Sequence, residues 1–323
     1  MSTMILLTLG FALSLGAVYL VMPSYISALK RMGMNQEVSE YALEEFKQKA
    51  KTPIMGGLLF VIFPVIAAIV IKPDMLRSSE AIFVILSYLS YCLIGFLDDF
   101  LILKYHNNLG LSPKLKLLMQ LVFSFILYFL FRPLMTNTVY FPFLHKELNI
   151  GWLYLPFMIF MYAAEANAVN FTDGMDGLCA GVSFFALLPF ILLALSEGHL
   201  NLAVLIICVL GGLLGYLYYN HFPAKIFMGD SGSLALGGLF AALAVVMHKE
   251  IVLFFAGGVF VWEMFCVVLQ LTSVILFHRR IFSYTPIHYA FRLKGIAEKR
   301  IVSSFWVISF GCAFIGFLIG VFG

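Results

Sequence analysis

Residues 178–219 read LCAGVSFFALLPFILLALSEGHLNLAVLIICVLGGLLGYLYY. Two apolar runs, 178–196 and 202–219, flank a short break that contains Glu197, Gly198 and His199. A helix that crosses a bilayer needs roughly 20 mostly apolar residues. Each run therefore has the length of one crossing, and the break has the length of a tight connection. Working outward, runs of the same kind occupy 4–24, 55–72, 81–98, 117–135, 152–169, 233–248, 251–277 and 302–322. The composition agrees: 62% of residues are hydrophobic and 11% charged, against about 25% charged in a soluble domain. This excludes an ordinary soluble domain. It predicts an all-α polytopic membrane protein of about ten transmembrane helices, filling 1–323 as one integral membrane domain.

The chain begins Met1-Ser2-Thr3-Met4 with no basic residue ahead of the apolar run and no small-residue cleavage site, which predicts a retained helix rather than a removed signal. Cys92, Cys179, Cys208, Cys266 and Cys312 all fall inside predicted helices without ligand spacing, so they read as small buried apolar residues. The formal net charge is only +3, but its distribution is informative. Even-numbered loops hold Lys72, Arg77, Arg132, Lys146 and Lys249 out of 20 Lys and Arg residues, and odd-numbered loops hold the rest. Positive charge accumulates on cytoplasmic loops, so the odd loops are predicted to be cytoplasmic and both termini external.

Five polar segments stand out against this background: 47–57 (KQKAKTPIMGG), Asp98-Asp99, 167–177 (NAVNFTDGMDG), 227–233 (FMGDSGS) and 286–295 (PIHYAFRLKG). All fall on odd loops or their helix ends, so they converge on one predicted face, the cytoplasmic one, as an active site requires. Asp98 and Asp99 close the third run at a depth where an ionised carboxylate is costly. Adjacent helical residues point about 100° apart, so the two should have different roles, one facing the reacting atom and one orienting a lysine or sharing a metal shell. Asn167, Asn170, Asp173 and Asp176 recur every third position, a spacing that on a continuous helix drifts around the axis. With Gly174 and Gly177 allowing a break, the asparagines should finish a helix and the aspartates line an irregular loop.

Asp230 precedes the eighth run, where it or Ser231 suits a simple helix cap. The same place suits magnesium, which takes one or two carboxylates plus phosphate oxygens, next to a helix N-terminus that attracts phosphate. Asp230 is the expected main metal ligand. His288 lies in a short amphipathic stretch with Phe291, Leu293, Arg292 and Lys294. Lys47, Lys51, Lys114 and Lys116 are ordinary cytoplasmic-loop lysines by position, while Glu165 and Glu263 lie inside predicted runs, where an acid requires a partner or a polar cavity. Gly211/Gly215 and Gly316/Gly320 form two G-x-x-x-G pairs, which suit close helix contact within one chain as well as a homodimer. Residues 133–151 form the longest even loop, and Val139 to Phe143 within it reads as a short strand or hairpin.

In order along the chain, TPIMGG (52–57), Asp98-Asp99, NAVNFTDGMDGL (167–178), FMGDSGSL (227–234) and PIH (286–288) resemble the motifs of the polyprenyl-phosphate N-acetylhexosamine-1-phosphate transferases, and within that family most nearly its muramoyl-pentapeptide branch. The resemblance implies a bacterial cytoplasmic-membrane enzyme of ten helices. It implies transfer of phospho-N-acetylmuramoyl-pentapeptide from its UDP derivative to undecaprenyl phosphate, giving lipid I and UMP in peptidoglycan synthesis. Magnesium (Mg2+) is the implied cofactor, and the partners are the two substrates and membrane lipid, with no nucleic acid. On matching positions, Asp230 binds magnesium, Asp98 is base or nucleophile beside Asp99, and Asn170, Asp173 and Asp176 complete the polar site. Lys47, Thr52, Lys114, Asn167 and Phe227 hold the nucleotide and its phosphates, Phe227 by stacking on uracil. His288 inherits a diphosphate or sugar contact; where the family has three consecutive histidines, this chain continues with Tyr289 and Ala290.

Two other readings stand beside this one. UDP-N-acetylglucosamine is the alternative donor of the same family. A secondary transporter would place its acids near the midplane and repeat its broken helices in two halves, whereas the aspartates here gather at one edge and no repeat is visible.

Overall fold

The computed structural model describes residues 2–33, 52–105 and 110–323. Lys47 lies outside the described residues. Helices dominate: α1 (Thr3–Arg31), α2 (Gly57–Ile71), α3 (Ser79–Tyr105), α4 (Pro113–Leu130), α5 (Tyr154–Thr172), α6 (Leu178–Ser196), α7 (Leu200–Asn220), α8 (Asp230–Met247), α9 (Glu250–Ala256), α10 (Gly258–Phe277), α11 (Ile287–Leu293) and α12 (Glu298–Phe322). Every apolar run in the sequence falls on a helix, and 251–277 is interrupted at Gly257 between α9 and α10. Between α4 and α5 lies a hairpin, β1 (Thr138–Phe141) paired antiparallel with β2 (Lys146–Asn149), with Val139 opposite Leu148.

Among the described residues, α1, α3, α4, α6, α7, α8, α10 and α12 are long and apolar enough to cross a membrane. The other two expected crossings differ for separate reasons. α2 has only 15 residues, about 22 Å at 1.5 Å per residue, and α5 carries Glu165, Asn167 and Asn170 in its C-terminal half.

The hub of the bundle is α8, buried on all sides from Ser231 to Met247. A helix apolar all round belongs inside other helices, and glycines let its neighbours come close. A methyl group on Gly237 would lie 2.3 Å from the Ala166 Cα of α5, and one on Gly95 of α3 would lie 2.0 Å from the Asp230 carbonyl oxygen. The helix bearing Asp98-Asp99 is thereby pressed against the first turn of the helix bearing Asp230. The two G-x-x-x-G pairs also act within the chain. Gly211 and Gly215 face the backbone of α1, Gly316 faces Ala256 and Gly320 faces Leu193. Cys92, Cys179, Cys208 and Cys266 are buried and Cys312 partly so, all as free thiols.

Candidate active site

Helix direction brings the polar segments to one end of the bundle: the C-terminal ends of α3 and α5 and the N-terminal ends of α4 and α8 meet there. Asp230, the first residue of α8, does not cap its own helix; the cap position is Gly229, at φ 74°. Asp99 supplies the cap from α3, accepting the Asp230 and Ser231 amides at 3.0 Å each. A carboxylate at a helix N-terminus satisfies free amides and favours the positive end of the dipole. The Asp230 side chain is thus left to face the site. One oxygen accepts from Asn170 Nδ2 at 2.7 Å, and Asn170 also reaches Ser233 Oγ at 2.9 Å.

The other Asp230 oxygen pairs with Lys116 Nζ, which also lies 3.2 Å from Asp98. Asp98 in turn accepts the Leu111 amide at 2.8 Å. The adjacent aspartates therefore do different things, Asp98 facing the lysine and Asp99 holding α8. Sequence reasoning put Lys114 at the substrate, but Lys114 is exposed and Lys116 joins Asp98 to Asp230. Helix phase explains this. Gln120, Ser124, Leu127 and Tyr128 form the buried stripe of α4, and Lys116 lies four residues before Gln120 on that face.

The third-position series divides as its geometry requires. α5 ends at Thr172, so Asn167 and Asn170 are helical, while Asp173 to Gly177 form the irregular loop. Asn167 donates to Gln120 Oε1 at 2.8 Å instead of joining the aspartates. Asp176 is buried; its carboxylate accepts the Ala224 amide at 2.9 Å and its own amide donates to Glu298. These contacts give Asp176 a structural hold on the loop before α8. Asp173 stays close to the centre: burial, with Asp230 and then Asp176 adding repulsion, pushes its carboxyl up to about 8, while a hydrogen bond from the Gly229 amide opposes the rise.

Thr52 to Gly57 and Phe227 to Met228 are joined by backbone bonds: the Phe227 amide donates to Pro53, and the Gly56 and Gly57 amides donate to Phe227 and Met228 at 2.8–2.9 Å. Phe227 packs its partly buried ring beside Ile54, Met55 and Leu103, and Thr52 is partly exposed at the start of this segment. His288 is fully buried, its Nδ1 lying 2.9 Å from Glu263, a partner that sequence reasoning missed. Where the resemblance would put two more imidazoles, Tyr289 donates its hydroxyl to the Gly174 carbonyl at 3.0 Å and Ala290 is buried in the core.

Asp98, Asp99 and Asp230 each bring a carboxylate oxygen within 4.8 Å of the others. Asp99 has both oxygens committed to α8 amides, which leaves Asp98 and Asp230 converging on the Lys116 ammonium. Two hard oxygens already facing one positive centre are a donor set that could hold a metal ion. Leu117, next to Lys116 on α4, and Asn167, one turn before Asn170 on α5, border an open apolar groove of about 430 Å³ between α4, α5 and α10, lined also by Leu121, Pro156, Phe160 and Met264.

The model of glycosyl transferase family 4 matches residues 81–248, a segment containing Asp98, Lys116, Asn170 and Asp230. The chain is also similar along nearly its whole length to proteins named phospho-N-acetylmuramoyl-pentapeptide-transferase. That of Clostridium botulinum is 36% identical over 314 residues, 97% of this chain and 94% of that protein. That of Clostridium novyi is 38% identical over 298 residues, covering 92% and 91%, and that of Staphylococcus saprophyticus 36% over 307 residues, covering 94% and 96%.

Proposed function

The chain belongs to glycosyl transferase family 4, and from that membership we propose that it transfers phospho-N-acetylmuramoyl-pentapeptide from its UDP derivative to undecaprenyl phosphate, releasing UMP and forming lipid I. The observation that carries this reading is the Asp98–Lys116–Asp230 cluster, with Asn170 bound to Asp230, on helices that also border an open apolar groove. A charged centre next to an apolar groove suits a reaction between a soluble nucleotide and a lipid phosphate.

In this reaction a lipid phosphate oxygen forms a bond to the sugar-bearing phosphorus, the bond from that phosphorus to the bridging oxygen breaks, and UMP leaves with the electron pair. Bringing two anions together is mainly positioning and charge neutralisation. Lys116 supplies a cation where the phosphates meet, and Asp98, anchored by the Leu111 amide, is placed to orient the lipid phosphate or take its proton. Asn170 fixes the Asp230 carboxylate. Magnesium, held by Asp230 with Asp98, would supply further charge neutralisation at the diphosphate. The prenyl chain suits the groove between α4, α5 and α10, with Asn167 at its polar side. Phe227, Thr52 and Lys47 remain the proposed nucleotide contacts.

The same reading places the protein in the bacterial cytoplasmic membrane with ten passes, both ends outside, and the site facing the cytoplasm. The concentration of Lys and Arg on the odd loops supports that orientation. The reading is tested by incubating purified protein with magnesium, undecaprenyl phosphate and either UDP-N-acetylmuramoyl-pentapeptide or UDP-N-acetylglucosamine. UMP is expected from the first donor only; comparable release from the second would move the chain to the other branch of the family.

A further inference from the structure

Glu263 is fully buried in α10, a helix long and apolar enough to cross the membrane. An acid in such a place is expected to have a partner and a purpose. Both of its oxygens are engaged by one short segment. Oε2 accepts the Ile287 amide at 2.7 Å and Oε1 faces His288 Nδ1 at 2.9 Å. Ile287 is the first residue of α11 and follows Pro286, which has no amide hydrogen to offer. One carboxylate thus caps α11 and holds the imidazole at its second residue. In the tautomer whose Nδ1 donates to this carboxylate, Nε2 is the end left to act.

That Nε2 is buried and has no hydrogen-bond partner among the described residues. It points at Gly174, where an added methyl group would lie only 2.1 Å away. The Tyr289 hydroxyl binds the Gly174 carbonyl, so α11 is clasped to this loop. Asp173, the preceding residue, lies close enough to Asp230 for the two carboxylates to repel. The unpartnered nitrogen therefore faces the loop that borders the aspartate cluster, and buried polar atoms without partners call for an explanation.

We propose that Glu263 is a positioning residue of the transferase site, acting through His288: it sets the tautomer and direction of the imidazole so that Nε2 meets the bound donor substrate. The inference rests on the transferase reading above. It predicts a dependence between two residues that a purely structural acid in α10 would not produce.

The test measures kcat and KM for UMP release by the full-length protein in detergent with UDP-N-acetylmuramoyl-pentapeptide. Wild type, Glu263→Gln, His288→Ala and the double variant are compared. Glu263→Gln should lower kcat by about tenfold or more with KM within about threefold, and His288→Ala by about 10²-fold, the scale for one oriented stabilising group. The double variant should be no worse than His288→Ala within about twofold, because residues acting as a unit are not additive. Should Glu263→Gln fail to fold, Glu263→Asp keeps the charge, shortens its reach and allows the same comparison. Losses that multiply in the double variant overturn the inference alone. A wild-type chain that releases no UMP overturns the transferase reading and the inference with it.

Discussion

Asp99 of α3 accepts the amides of Asp230 and Ser231, so the cap of the central helix comes from the residue next to Asp98. Losing it orphans one buried and one half-buried amide, at about 1–3 kcal/mol for the buried one and less for the other. Asp99→Ala should lower both the thermal midpoint in detergent and turnover, while Asp99→Asn, which keeps one carbonyl acceptor, should lose less of each. If Asp99→Ala unfolds at the wild-type temperature yet is inactive, Asp99 belongs to the reaction and not to the scaffold.

Lys116 and Lys114 lie two residues apart but meet different surroundings, one between two aspartates and one exposed. Lys116→Ala should lower kcat by about 10²-fold or more, as for loss of one charge-stabilising group. Lys114→Ala should stay within about threefold. Equal losses in a steady-state assay would remove the distinction.

Gly95 has no room for a side chain, since its methyl position is 2.0 Å from the Asp230 carbonyl oxygen. Gly95→Ala must push α3 from α8, a change typical of overpacked cores that costs about 1–3 kcal/mol. The thermal midpoint should fall, and turnover should fall with it as Asp98 moves from Asp230. A variant with wild-type midpoint and kcat would show that this close approach does not position the site.

The orientation in the membrane has a separate test. Asn137→Cys, next to the hairpin, should react with an impermeant thiol reagent in intact cells and Lys294→Cys should not. The opposite pattern would put the aspartates outside.

Much of this was legible in the sequence because apolar runs and costly acids leave strong patterns. The helices fall on the runs, and the prediction that Asp98 and Asp99 point to different partners follows from 100° per residue. What was missed depends on contacts between distant segments. Glu263 was recognisable as an acid needing a partner, but the partner arrives through the loop before α11. Asp176 lies in a motif with Asp173, yet binds the Ala224 amide. Lys116 is legible by the same helical phase: the stripe through Gln120 and Ser124 points back to it.

The central claim is that Asp230, held by Asn170 and Lys116, organises phosphoryl transfer. Its most direct test is UMP release by purified, folded Asp230→Ala with magnesium and both substrates present. Neither Asp98, held by the Leu111 amide, nor Asp99, bound to the α8 amides, can take its place without moving. Turnover should fall by about 10²-fold or more. Retention of more than about one-tenth of wild-type turnover, less than about 1.4 kcal/mol in the barrier, would contradict the account.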